Sequence, residues 1–406
     1  MTLTWAGAPD LPQLPFGRLF RRLDRPVPEG AGIVTAYTDG QVTLRSNRAK
    51  ERYHEAADLS SFQGVAVGDF VVHGLDILRG SVGISDSAGA MSPVVSVCEP
   101  TGPVDPRFVS HVIRTQAAAG FTKAMARGIR EGGADFRRWG TLAELPIPVP
   151  SLDYQRRVCD YLDCEMARID TLIEEQQRLV GMLRERRRLV ITNAISPKPR
   201  LGSCADKLGR TARIGNGSTP RRENREYWDS GTVPWLNSSV VNQARVGSAV
   251  EFVTASALAE CHLPIVPPGS VLVGLTGQGK TRGMATILDI ESTVNQHLAY
   301  VTPDRTRWWP EYLLWLLTAA YDDLRRISEE NGSTKGGLTC EALKQLRVTV
   351  PPIDEQRRIA FHLDQQTAKT DTLIAETERF IDLARERRSA LVTAAVTGQI
   401  DVRKAA

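Results

Sequence analysis

Apolar residues fall at alternating intervals of three, four and seven in two stretches of the chain, one beginning near residue 152 and the other near 353. In the first, Leu162, Ile169, Leu172, Gln176, Leu179, Leu183 and Val190 keep this spacing. In the second, Leu363, Thr370, Leu373, Thr377, Phe380, Ala384 and Leu391 occupy the same phase. Residues 152–180 contain neither proline nor glycine, and residues 353–396 contain none. Asp153 and Asp354 stand where an N-cap belongs, because a short carboxylate accepts the unpaired amides of a first helical turn. Each stretch is therefore predicted to be one helix of about 60 Å, at about 1.5 Å per residue. An a/d seam with polar residues at matched places fixes register, and two such helices in one chain supply partners for each other. The expectation is an intramolecular, antiparallel coiled coil.

The two stretches are also copies. Gln155-Arg156-Arg157-Val158, Leu162-Asp163, Asp170-Thr171-Leu172-Ile173 and Arg184-Glu185-Arg186-Arg187 return as Gln356-Arg357-Arg358-Ile359, Leu363-Asp364, Asp371-Thr372-Leu373-Ile374 and Arg385-Glu386-Arg387-Arg388. The offset is 201 residues throughout, with no gap. Pro150-Ser151-Leu152-Asp153 introduces the first copy and Pro351-Pro352-Ile353-Asp354 the second. An internal repeat of this length sets the plan of the whole chain.

The blocks preceding the two copies share an order of patterns rather than a sequence. In residues 1–150, short β-type runs flank Asp39-Gly40, a hairpin signal. Gly68-Asp69-Phe70-Val71-Val72-His73 reads as a buried strand, Gly80-Ser81-Val82-Gly83-Ile84 as a turn into the next, and Val94-Val95-Ser96-Val97-Cys98 as a third. A helix follows Pro103, burying Phe108, Val109, Val112 and Ile113; then come a glycine-rich loop at Gly132-Gly133 and an exit strand over 145–150. Residues 197–350 repeat this order. Strands are expected at 268–273, 285–288 and 297–301, a helix over 309–324, a glycine-rich loop at 331–337 and an exit strand at 346–350. The fold class is α+β: two mixed α/β domains (1–150 and 197–350), separated by two long helices (151–196 and 351–400), in a pseudo-two-fold repeat.

Composition narrows the function without naming it. An apolar fraction of 42% and a charged fraction of 24% are those of a globular protein. A net charge of +4 permits a nucleic-acid partner without demanding one. The six cysteines include no Cys-x-x-Cys pair, so neither a zinc cage nor a disulfide framework is indicated, and a reducing cytoplasm fits. The six histidines have no ligand spacing, which predicts no metal site. The first twenty residues lack the unbroken apolar core of a signal peptide, and no apolar run is long enough to span a bilayer. No nucleophile elbow, His-Glu-x-x-His or Asp/Asn-Pro-Pro-aromatic tetrapeptide occurs, so no catalytic residue is expected.

One motif points elsewhere. Gly274-Leu275-Thr276-Gly277-Gln278-Gly279-Lys280-Thr281 fits the phosphate-binding pattern G-x-x-x-x-G-K-[ST] after a strand. A working P-loop starts a helix at its lysine, so that the first amides hold a phosphate. Here the continuation Arg282-Gly283-Met284-Ala285-Thr286-Ile287-Leu288 has the character of a returning strand. The expectation is a hairpin tip whose Gln278, Lys280, Thr281 and Arg282 approach a phosphate backbone or base edges.

The order of domain, Pro148-Val149-Pro150-Ser151-Leu152-Asp153-Tyr154-Gln155-Arg156-Arg157, long helix, second domain, and Val350-Pro351-Pro352-Ile353-Asp354-Glu355-Gln356-Arg357-Arg358-Ile359 with its own helix resembles the specificity subunit of type I restriction–modification systems. The resemblance covers essentially the whole chain. Tyr154 departs from the acidic Glu355 of the second copy, a local change near a helix start. The resemblance implies two target-recognition domains, each reading one half of a bipartite sequence in double-stranded DNA. The paired helices would act as a ruler and as the docking surface for two methyltransferase subunits, with motor–nuclease subunits beyond. It implies no catalysis by the chain itself. S-adenosylmethionine, ATP and Mg would be bound by the partner subunits.

Recognition residues vary with target, so candidates come from side-chain chemistry on turns and glycine-rich segments. In the first domain these are His73, Arg79, Lys123, Arg127 and Arg130. In the second they are Arg221, Arg222, Arg225, Asn237, Ser238, Gln278, Lys280, Arg282 and Lys335. Cations suit phosphates or guanine edges, and Asn237 and Gln278 suit adenine. For subunit docking the candidates are Arg156, Arg184, Arg357 and Arg385, whose competing role is pairing with nearby glutamates. Two other functions stay open at this level: a P-loop NTPase on Lys280 and Thr281, and a structural coiled-coil adaptor.

Overall fold

The computed structural model describes residues 4–48, 59–126, 136–195, 206–277, 279–330, 337–400 and 402. The expected loop at Gly132-Gly133 and all but the last residue of that at 331–337 lie outside these. The chain divides into two compact units, residues 1–177 with 379–406, and residues 178–378. Each unit holds one globular module, the end of one long helix and the start of the other.

In the first unit, four antiparallel strands form a sheet in the order Phe20–Arg22, Val95–Pro100, Phe70–His73, Val82–Ile84. The tight return from Phe70–His73 to Val82–Ile84 runs through Gly80, whose φ of 84° is open to glycine at no steric cost. The helix Pro106–Ala118 packs on this sheet, with Asp105 capping it through the Arg107 amide at 2.9 Å and proline in its first turn. Phe108, Val109, Val112 and Ile113 all lie fully buried in the core beneath it, as the pattern required. Gln13–Pro15 pairs with the exit strand Pro146–Pro148 and closes the module.

The second unit repeats this sheet in the same order: Ala212–Asn216, Leu298–Pro303, Val271–Gly274, Ala285–Leu288, with Arg245–Val246 added in parallel at the edge. It also carries a second sheet of Glu251–Val253, Val233–Leu236 and Thr293–Val294, matched in the first unit by the antiparallel pair Val34–Ala36 and Val42–Leu44 with a parallel bridge from Ile33 to Ala90. Asp206–Lys207 pairs with the exit strand Arg347–Val348, as in the first unit. The single helix expected over 309–324 is two, Pro310–Ala319 and Tyr321–Glu330, parted at Ala320.

The P-loop alternative fails on geometry. After Val271–Gly274 the chain turns through Gly277 (φ 131°) and Gly283 (φ 85°), and the Gly283 amide donates to the Gly274 carbonyl at 2.8 Å. The strand Ala285–Leu288 then returns antiparallel to Val271–Gly274. No helix begins at Lys280, so its amides cannot converge on a phosphate as a P-loop requires.

Each copied stretch is one helix of 44 residues, Leu152–Ile195 and Ile353–Val396. The first runs straight through Gly181, where an added Cβ would meet nothing. Within the second unit the two helices run antiparallel, since Arg184 meets Glu378 and Arg187 meets Asp371, one number rising as the other falls. The expected seam needs correction. Leu179, Leu373 and Phe380 are exposed, whereas Val180 and Ile381 are buried. The seam runs Leu162, Met166, Ile169, Ile173, Gln176, Val180, Leu183 and, at the same offset, Leu363, Thr367, Thr370, Ile374, Thr377, Ile381, Ala384. These steps of four and three keep a heptad period. Adjacent apolar pairs such as Leu172-Ile173 and Leu179-Val180 make either phase readable, and the β-branched members are the ones that face inward.

Candidate nucleic-acid interface

The repeated signature explains how each module is held on its helix. Gln155 is fully buried, its Oε1 accepting the Asp105 amide at 2.9 Å and its Nε2 donating to the Pro150 carbonyl at 2.8 Å. Gln356, equally buried, accepts the Trp309 amide at 2.8 Å and donates to the Arg307 and Pro351 carbonyls at 2.8 and 2.7 Å. Asp105 and Trp309 are the residues before the proline that opens each module's helix. The glutamine thus satisfies a free amide at one helix start from the first turn of another. Asp163 and its equivalent Asp364 add a second tether, accepting from Arg107 at 2.9 Å and from the Trp315 indole at 2.8 Å.

In the first module, His73 and Arg79 stand at opposite ends of the turn between Phe70–His73 and the edge strand Val82–Ile84. The His73 Nδ1 accepts the Asp76 amide at 3.0 Å, and burial holds the ring below its ordinary pKa, with Asp76 opposing the shift. Arg79 is exposed, with Asp76 at 4.0 Å. Lys123 projects from the short helix Phe121–Met125 and is exposed. Arg127 and Arg130 lie outside the described residues.

In the second module, five candidates share one neighbourhood. The Arg222 guanidinium lies over the Trp228 and Trp235 rings at 4.1 and 5.0 Å and pairs with Glu251. That hydrogen bond raises the Arg222 pKa and lowers that of Glu251, which Asn237 also contacts. Asn237 caps the following turn, its Oδ1 accepting from the Ser239 amide at 2.9 Å; Ser238 is half-buried beside it. Arg221 and Arg225 are exposed on the loop that carries Trp228. Sequence reasoning passes over this pair of tryptophans, which follow the basic run and hold Arg222 in place, Trp235 from within the core. Lys280 and Arg282 occupy the hairpin tip. The Lys280 carbonyl accepts the Tyr321 hydroxyl at 2.9 Å, and Arg282 is buried with Glu329 at 3.1 Å. Gln278 and Lys335 lie outside the described residues.

The docking candidates have partners of their own. Arg184 pairs with Glu378 at 2.6 Å, Arg385 with Asp382 at 3.0 Å, and Arg357 lies over the Trp309 ring at 4.5 Å; Arg156 is exposed. Arg79 and Arg385, read from sequence as serving different ends, line one cavity of the first unit, and Lys280 and Arg184 line one of the second. Among the described residues no cluster of His, Cys, Asp or Glu could hold a metal ion, and no helix is long and apolar enough to cross a membrane.

Comparison with known proteins places this arrangement. Residues 207–380 match the family described as the type I restriction modification DNA specificity domain. The chain is 22% identical over 181 residues to the Type I restriction enzyme EcoR124I/EcoR124II specificity subunit of Escherichia coli. That match takes in 44% of this chain and 45% of the relative, so the chain spans under half the length of the curated relative it matches. Among solved structures, a chain from work on complex assembly and conformational transition of the type I R-M system is similar over 97% of this chain and 99% of that one, with a TM-score of 0.72 and 18% identity. The HsdS subunit from Thermoanaerobacter tengcongensis is similar over 97% and 98%, with a TM-score of 0.57 and 16% identity. The second half of the chain therefore carries a type I restriction modification DNA specificity domain, and the chain as a whole has the fold of a specificity subunit of such a system.

Proposed function

We propose that this chain is the non-catalytic DNA specificity subunit of a cytoplasmic type I restriction–modification complex, each module reading one half of a bipartite target in double-stranded DNA. The single observation that carries this reading is the contrast within the repeat. Gln155 and Gln356 each hold a module through the amide before its helix, while the candidate reading residues of the two modules, apart from the arginines Arg79 and Arg282 before Gly80 and Gly283, do not correspond. One scaffold with two dissimilar readers suits two different half-sites at a fixed separation. Helices of 44 residues, about 66 Å at 1.5 Å per residue, supply a rigid ruler for that separation.

The methyltransferase partners, two copies carrying S-adenosylmethionine, dock on the long helices, and the ATP-dependent motor–nuclease subunits assemble beyond them. Leu179 and Met182 (37% and 57% exposed) and their repeat equivalents Phe380 and Leu383 (44% and 55%) support this, because exposed apolar side chains at matched positions suit two copies of one partner. Arg156 and Arg357 form the polar rim of the same docking faces. In the modules, Arg221, Arg222, Arg225, Asn237 and Ser238 serve one half-site, and His73 and Lys123 the other.

The test is selection from a random duplex pool by the chain assembled with its methyltransferase subunits. A motif of two unlike halves around a spacer of constant length is expected. An enriched motif of one half, or none, overturns the reading; the latter is what a structural adaptor would give.

A further inference from the structure

Each unit contains a cleft between its module and its long helices, and the two clefts are repeat equivalents. That of the first unit is about 600 Å³ and that of the second about 460 Å³. On the helix side, Arg385, Arg388 and Val392 of the first correspond at the 201-residue offset to Arg184, Arg187 and Ile191 of the second. On the module side, Gly80 and Gly283, with φ of 84° and 85°, lie in the turns that follow Phe70–His73 and Val271–Gly274 and line the clefts.

The charge of the clefts is kept although the residues supplying it have moved. Arg79, Arg114, Arg385 and Arg388 face Asp170 in the first, and Arg184, Arg187, Arg188 and Lys280 face Asp322 in the second. Arg79, Arg385, Arg184 and Arg188 already have carboxylate partners in Asp76, Asp382, Glu378 and Glu185, so among the described residues each cleft keeps one cation outside any pair. Counted from the amides held by Gln155 and Gln356, Arg114 of the first module stands where the second has Thr318. Conversely, Ser389 of the first cleft stands where the second has Arg188. A cation missing from one wall is supplied by the other. Arg388 and Arg187 are already paired across the helices with Asp170 and Asp371, at 3.4 and 2.7 Å. Arg114 and Lys280, one per cleft, make no ion pair among the described residues. Arg114 is half-buried, with its pKa pulled down by burial and by Arg388 and opposed by Asp39. A partly desolvated guanidinium without a paired carboxylate is costly to keep unless an anion visits it.

We propose that these two clefts are sequence-independent phosphate clamps, each taking backbone phosphates of the duplex whose bases the adjoining module reads. This rests on the specificity reading above. Each cleft borders the turn that carries His73 and Arg79, or Lys280, so a duplex engaged by that turn lays its phosphates across the mouth. The arginines serve position rather than sequence.

The experiment uses the chain assembled with its methyltransferase subunits, in the forms Arg114→Gln, Lys280→Gln and the double variant, binding target and scrambled duplexes over a salt series. Each single variant is expected to weaken both duplexes by the same factor, about three- to tenfold at 0.1 M salt. The slope of log K against log salt is expected to shrink by about 0.9 for each phosphate that is no longer neutralised. The ratio of target to scrambled affinity stays constant. Arg385→Gln repeats the test in the first cleft should Arg114→Gln lower the melting temperature. An unchanged slope overturns the clamp. So does a changed ratio, which would make these base readers, or loss of complex assembly with DNA binding intact, which would make the clefts seats for an acidic partner segment. Inorganic phosphate and ATP at matched ionic strength separate the remaining source: calorimetric binding of either, abolished by the variants with no change in slope, assigns the clefts to a free phosphate instead. Absence of any target preference in the parent complex would sink the specificity reading alone, since the slope on scrambled duplex still reports the clamp.

Discussion

The two joints between module and helix are built alike, yet they do not carry the same load. Gln155 makes two buried hydrogen bonds and Gln356 three, the extra one to the Arg307 carbonyl. The second tether is an exposed arginine, Arg107, in one unit and a buried indole, Trp315, in the other. What is retained is the satisfaction of backbone groups where one helix starts against another; what has drifted is the side chain that assists. The joint is thus fixed by main-chain hydrogen bonding, while charges around it are free to change partner.

Gln356→Leu sharpens this comparison most. It strands a buried amide and two carbonyls, at about 1–3 kcal/mol for each unsatisfied group, so a loss of about 4 kcal/mol is expected in urea unfolding. Gln155→Leu, with one fewer bond, is expected to cost about 3 kcal/mol. Equal losses would break the asymmetry.

Acid should distinguish the units next. Burial, helped by Arg114, Arg107 and Arg388 and opposed by Asp163, lowers the His111 pKa from 6.5 to about 4, so this ring is neutral in the fold. Between these values the unfolded chain binds a proton that the folded chain does not. Its stabilising contribution is therefore whole above pH 6.5 and declines as pH falls toward 4, by at most about 3 kcal/mol at 1.36 kcal/mol per pKa unit. The corresponding place in the second unit is Trp315, which does not titrate. Amide exchange across that pH range should show the first unit weakening before the second, and His111→Gln should flatten the difference.

Phe380→Ser with Leu383→Ser is expected to weaken methyltransferase association about tenfold, or about 1.4 kcal/mol. The matched change at Leu179 and Met182 should do the same, and an effect confined to one pair would deny the two docking faces a common partner. Smallest is the cross-helix pair: Asp371→Asn, which breaks a two-bonded pairing with Arg187, should cost about 0.5–1 kcal/mol, and Asp170→Asn, facing Arg388 at 3.4 Å, less than about 0.5 kcal/mol. Thermal melts of the two variants resolve them.

The scaffold is legible in sequence because it repeats. The offset of 201 residues, the glutamine after the proline–aspartate turn and the strands at Val271–Gly274 and Ala285–Leu288 all follow from local pattern. The seam phase goes astray where two apolar residues are adjacent, as at Leu179-Val180, since spacing alone does not say which one faces the partner helix. The short pairings Gln13–Pro15 and Asp206–Lys207 escape a sequence reading because two or three residues hold no periodicity. The clefts are unreadable for another reason: Arg114, Arg385 and Arg79 are far apart in the chain, and only folding places them on one cavity. A signal exists at Arg114, a cation among the buried residues of a short amphipathic helix.

The claim on which the rest turns is that each module reads its half-site alone while the glutamine joints hold both in the same way. Replacing residues 206–348 with the corresponding module of another such chain, leaving Gln155 and Gln356 in place, and mapping methylated adenines across a host genome tests it directly. One half of the methylated motif should change while the other half and the spacer length persist; a change in both halves, or in the spacer, would contradict it.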